Sequence, residues 1–70
     1  LPQAGKVDLV LFDLLGRPVR HLPLGAYPAG NHVFHWDGHD DDQRPVASGV
    51  YLVRLTLEGT RRTSRLTLLR

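Results

Sequence analysis

From Lys6 to Asp13 the chain alternates Val7, Leu9 and Leu11 with Asp8, Val10 and Phe12. That period of two predicts a β-strand with both faces partly covered. Leu14-Leu15-Gly16-Arg17 follows as a turn, Gly16 taking the positive φ that a leucine resists. Pro18 to Leu22 is predicted to return as a second strand, with the donor-less Pro18 at its start or on an edge. Pro23 to Gly30 holds two prolines and two glycines, which excludes a helix and predicts a crossing loop. Asn31 to Trp36 reads as a third strand, with His32, Phe34 and Trp36 on one face and Val33 and His35 on the other. The Trp36 indole is expected at the centre of the core.

The second half is written the same way. Asp37 to Arg44 is a polar turn, Pro45-Val46-Ala47 a short extended piece broken by Ser48-Gly49, and Val50 to Leu57 the longest strand. Glu58-Gly59 has the form of a two-residue hairpin connection, although Glu is a poorer first residue than Asn or Asp. In that register Leu57 faces Thr60, Leu55 faces Arg62, Val53 faces Ser64 and Tyr51 faces Leu66. Arg54, Thr56, Arg61, Thr63 and Arg65 then share the opposite face, which turns apolar at its far end with Val50, Leu52 and Leu69. No helix of normal length fits. Five or six short strands predict an all-β chain, a small immunoglobulin-like antiparallel β-sandwich, with residues 1–70 forming a single domain.

Composition narrows the function more than the fold. Seventy residues make one domain at most, and a chain of this length buries only about 60% of its unfolded surface. Cysteine is absent, so no disulfide or thiolate site braces the core. No stretch reads as a signal peptide or membrane span. A net charge of +2 invites a nucleic-acid reading, but Arg17, Arg20, Arg44 and Arg54 are scattered. Only Arg61, Arg62, Arg65 and Arg70 cluster, and the acidic loop of Asp37 and Asp40 to Asp42 offsets them. No continuous basic track with interleaved aromatics results, which argues against nucleic acid as a partner.

Candidate chemistry is thin. Asp37, Asp40 and Asp42 are the kind of oxygen ligands calcium takes, yet Ser48 stands where a Ca²⁺ loop needs its bidentate glutamate. Aspartates that close turns through backbone N–H groups are the simpler reading. His32 and His35, three apart on a strand, point to opposite faces and cannot share a zinc ion. Ser48 lacks the flanking glycines of a hydrolase elbow. Glu58, the single glutamate, sits in a hairpin turn, so a paired-carboxylate site for glycoside cleavage would have to come from the aspartates alone. The residues therefore predict no enzyme, no catalytic residue, no cofactor and no metal. Tyr27, alone in its loop, is the one aromatic left for a sugar-stacking role.

Lys6 to Arg20, with its D-L-L-G-R turn, resembles the opening of the C-terminal sorting domains of type IX (Por) secretion cargo. It is similar too to the Ig-like domain of flagellar hook-capping proteins. Ala29-Gly30-Asn31-His32 with Trp36-Asp37-Gly38, Ala47 to Leu55, and the Leu66 to Arg70 ending extend the resemblance over nearly the whole chain. Phe12 stands where the sorting family has tyrosine. Leu1 to Gly5 resembles the end of an upstream strand, so the resemblance implies a module short of its first strand. The sorting resemblance implies export by the type IX machinery, with an N-terminal passenger in the same chain. It implies a secreted or outer-membrane-attached location, and a surface built from Arg54, Arg61, Arg65, Leu69 and Arg70 that a protein of the secretion or assembly machinery reads. The alternatives are a structural, protein-binding Ig-like domain as in hook-capping proteins, and an accessory carbohydrate-binding module of a secreted enzyme.

Overall fold

Strand β1 (Gly5–Phe12) carries the apolar stripe on which the other elements assemble. In a computed structural model that describes residues 1–69, it is joined by β2 (Pro18–Tyr27), β3 (Gly49–Leu57) and β4 (Thr60–Leu68). The four strands form one antiparallel sheet in the order β2-β1-β3-β4, so β1 is paired on both sides. Val7, Leu9 and Leu11 lie opposite Leu57, Leu55 and Val53 of β3. One face of the sheet is thereby a continuous hydrocarbon surface, and Val7, Leu9, Leu11, Tyr51 and Leu57 are its buried centre.

The covering layer differs from the expected second sheet. After β2 the chain crosses the apolar face through residues 28–48 before entering β3. Asn31 to Trp36 keeps the alternation the sequence predicts, with His32, Phe34 and Trp36 turned inward and Val33 and His35 exposed, yet it joins no ladder. Phe34 and Trp36 roof an apolar groove of about 300 Å³ over Leu9, Leu11, Leu22 and Val53. Trp36 is accordingly half-buried and is not the centre of the core; that place belongs to β1. The indole packs edge-to-face on Tyr51 with ring centroids 5.3 Å apart, and its Nε1–H donates to the His39 carbonyl at 2.9 Å. The Tyr51 hydroxyl donates in turn to the Ala47 carbonyl at 2.6 Å.

Two further features follow from backbone chemistry. β2 extends five residues beyond the predicted Leu22, through Pro23 and Gly25. It is an edge strand with a register shift between Val7 and Asp8, the setting in which a strand tolerates a missing N–H donor. The β3–β4 hairpin closes in the predicted register from Leu57↔Thr60 to Tyr51↔Leu66. Glu58 and Gly59 both adopt positive φ, 47° and 80°, as a type I′ turn demands. The Glu58 carboxylate accepts the Lys6 N–H at 3.1 Å, a bond from the turn to the start of β1 that Asn, with its shorter side chain, reaches less readily.

A Leu11→Ala substitution, at one of the most deeply buried side chains, is expected to lower stability by about 2–5 kcal/mol. Leu15→Ala, at a residue 78% exposed, is expected to change it by less than about 0.5 kcal/mol. Urea unfolding followed by circular dichroism measures both, and equal losses would contradict the placement of the core under β1.

Candidate functional site

The polar motifs of the sequence resolve into three places, and in two of them the side chains serve the backbone. At the β1–β2 turn, Asp13 Oδ1 accepts the N–H groups of Leu15 and Arg17 at 2.9 and 3.0 Å. Asp13 Oδ2 takes Arg17 Nε at 2.8 Å. Gly16 supplies a φ of 81°, and Leu14 and Leu15 are left exposed at the tip. The bond from the Arg17 backbone N–H, with the Arg17 side chain and Leu15 N–H assisting against some desolvation, holds the Asp13 carboxyl below the ordinary value of 3.8.

The acidic loop is the second place. Asp40 Oδ1 accepts from the N–H groups of Asp42 and Arg44, both at 2.9 Å. Asp37 Oδ1 accepts from the His39 N–H at 3.0 Å, and that bond is the main reason its carboxyl too sits below the ordinary value. Asp41 does something the sequence did not signal. Its N–H donates to the Val19 carbonyl at 3.1 Å, while its carboxylate accepts the His21 N–H at 2.9 Å. One residue thus stands in for a strand along the outer edge of β2. Arg20 fixes the loop there by donating to the Asp40 carbonyl at 2.9 Å. Among the described residues no group of three or more His, Cys, Asp or Glu side chains gathers as a metal site.

The histidines and aromatics are similarly engaged. His32 Nε2 lies 2.7 Å from the Pro28 carbonyl, so that nitrogen carries the proton. His21 Nε2 lies 2.7 Å from Asp8 Oδ1, and His39 Nδ1 lies 3.0 Å from the Asp37 carbonyl. Tyr27 is not the solitary loop aromatic the sequence suggested. It ends β2, half-buried, in T-shaped contact with His32 and Phe34 at centroid distances of 5.1 and 5.2 Å. A ring held this way is a poor platform for a sugar.

The third place is the uncovered face of the sheet. Register sets Arg54 between Val10 of β1 and Thr63 of β4, with Arg61 opposite Thr56 and Arg65 opposite Leu52. The Arg54 guanidinium lies 5.0 Å from the centroid of Phe12, a cation–π contact that flattens it on the sheet. Arg61 and Arg65 are exposed. Leu69 lies just past β4 and is 85% exposed, and Arg70 falls outside the described residues. The folded chain therefore brings three of the five expected contact residues onto one basic face.

Residues 2–60 match the family described as the FlgD Ig-like domain. The chain is 42% identical over 53 residues to the basal-body rod modification protein FlgD of Salmonella typhimurium (strain LT2), and to the protein of that name from Salmonella typhi. Each alignment covers 76% of this chain and 23% of the relative, so the chain spans about a quarter of their length. No solved structure matches the chain.

These findings overturn the type IX reading. The C-terminal sorting function, and the secreted or outer-membrane-attached location it implied, give way to similarity with proteins of the flagellar basal body. The physical reason is visible in the motifs. D-L-L-G-R is a turn closed by Asp13 and Gly16, W-D-G joins an indole to a capped turn, and A-S-G-V-Y ties a tyrosine hydroxyl to Ala47. Such residues specify a fold, and two families built on similar folds share them.

Because the folded carboxyl of Asp13 is shifted down, its stabilisation is fully present above the unfolded value and is lost as pH falls through the folded one. Asp13→Asn is therefore expected to be less stable than the parent at pH 6, with the gap closing as pH falls below the ordinary value of 3.8. Melting temperatures of both chains from pH 6 to 2 test this, and a gap independent of pH would show that the charge of Asp13 contributes nothing.

Proposed function

The chain belongs to the family of FlgD Ig-like domains, and on that premise we propose that it is a non-catalytic, protein-binding module of a longer protein that acts in assembly of the flagellar rod and hook. The observation that carries this reading is the family match, which takes in β1, β2, the covering segment, the acidic loop and β3. Residues 1–70 act in this reading as one module beside the remaining parts of the longer polypeptide, and protein subunits of the growing structure are its partners. The engagement of Asp13, Asp37, Asp40 and Asp41 with backbone N–H groups supports a structural role, since it leaves these carboxylates closing turns and edges. The contact surface we assign is the basic face of Arg54, Arg61 and Arg65 with Leu69 beside it. Arginine suits such a place because its planar head keeps several donors available while lying flat on neighbouring side chains.

The reading is tested by deleting residues 1–70 from the full-length protein in the cell that encodes it. Hook assembly, seen by electron microscopy of basal bodies, and swimming in soft agar are expected to be lost or severely reduced. Hooks of normal number and length with normal swimming would overturn the proposal.

A further inference from the structure

The two edges of the sheet are treated differently. At β2 the outer backbone groups of Val19 and His21 are occupied by Asp41. At β4, among the described residues, no hydrogen bond reaches the outer side of the strand. The type I′ turn makes Leu57↔Thr60 a hydrogen-bonded pair, and the pairs alternate from there. Arg61, Thr63, Arg65 and Thr67 therefore aim both N–H and C=O away from β3. The ladder to β3 runs the whole length of β4 without a bulge, in contrast to the shifted β1–β2 pairing. A straight, unpaired edge of this length is a template for another strand.

The side chains of the strand select that partner. β4 reads Thr-Arg-Arg-Thr-Ser-Arg-Leu-Thr-Leu, with three arginines and no acidic residue. Arg61 and Arg65 stand four apart on the uncovered face, and Arg54 lies one strand behind them. A second copy of β4 laid alongside would bring in three more guanidinium groups and no carboxylate, which like-charge repulsion disfavours. We infer that the β4 edge receives an extended, acidic segment of a partner protein by strand addition, with carboxylates across from Arg61 and Arg65. Backbone bonds to Thr63 and its outward neighbours hold the segment, and the arginines choose it. The inference rests on the protein-binding reading above and names the chemistry of its partner.

Hydrogen–deuterium exchange on the intact protein tests the edge, using a capped nine-residue peptide that alternates glutamate with valine as the probe and its lysine twin as the control. The glutamate peptide is expected to slow exchange across residues 60–68, less so as salt is raised, and the lysine peptide to leave it unchanged. The double variant Arg61→Glu, Arg65→Glu is expected to weaken binding of the glutamate peptide by at least about tenfold. Thr63→Pro removes an outward donor but no β3 bond, and is expected to abolish protection while circular dichroism stays unchanged. The inference is overturned by equal protection from both peptides, by none from either, or by undiminished binding to Thr63→Pro. It is also overturned if β4 is already protected without probe, whether by another part of the polypeptide or by a second copy seen in sedimentation. The two proposals fail separately: normal swimming without residues 1–70 removes the assembly role, whereas absent peptide binding in a strain that still needs the module removes only the acidic strand.

Discussion

Everything in this domain depends on the contact between the β1 stripe of Val7, Leu9 and Leu11 and the facing side chains of β3. A sheet with one hydrocarbon face needs a cover, and among the described residues no second sheet supplies it. The cover is a single extended pass that contributes Phe34 and Trp36 to the apolar side and leaves Val33 and His35 to water. Lacking ladder bonds of its own, it is held by the Trp36–Tyr51 contact, by the Tyr27–His32–Phe34 cluster and, at its start, by the Gly30 N–H donating to the Leu1 carbonyl. The hydrophobic layer and the polar loop are in this sense one device, because the loop that follows Trp36 also fastens the edge of β2.

How much of this was legible depended on whether the information was local. The β3–β4 register could be read because a two-residue turn fixes it and a period of two carries it along both strands. The inward and outward sides of Asn31 to Trp36 were legible for the same reason, but whether that segment pairs is decided by what lies beside it, which no local pattern records. Pro23 and Gly25 read locally as breakers at the end of Leu22, yet β2 runs through them; their tolerance comes from an edge position that only the completed sheet defines. The docking of Asp41 on Val19 and His21 left no trace either, since its partners are some twenty residues apart and share no spacing rule.

The basic face shows the same division. Alternation was enough to place Arg54, Arg61 and Arg65 together, and the sheet does place them so. What the alternation left out was the asymmetry of the edges, which arises from long-range closure of one side by the acidic loop. The two resemblances share their motifs for a related reason: these are turn and packing residues, which report how the backbone closes and not what docks upon it.

Trp36 has a practical consequence. It is the chain's single tryptophan, and it rides on the covering pass and not on a strand. Its intrinsic emission is thus an optical gauge of whether the roof is seated on the sheet, read without any label. A lifted roof over intact strands would redden the fluorescence while leaving the far-ultraviolet signal of the sheet in place, so the two layers of this small body can be watched independently.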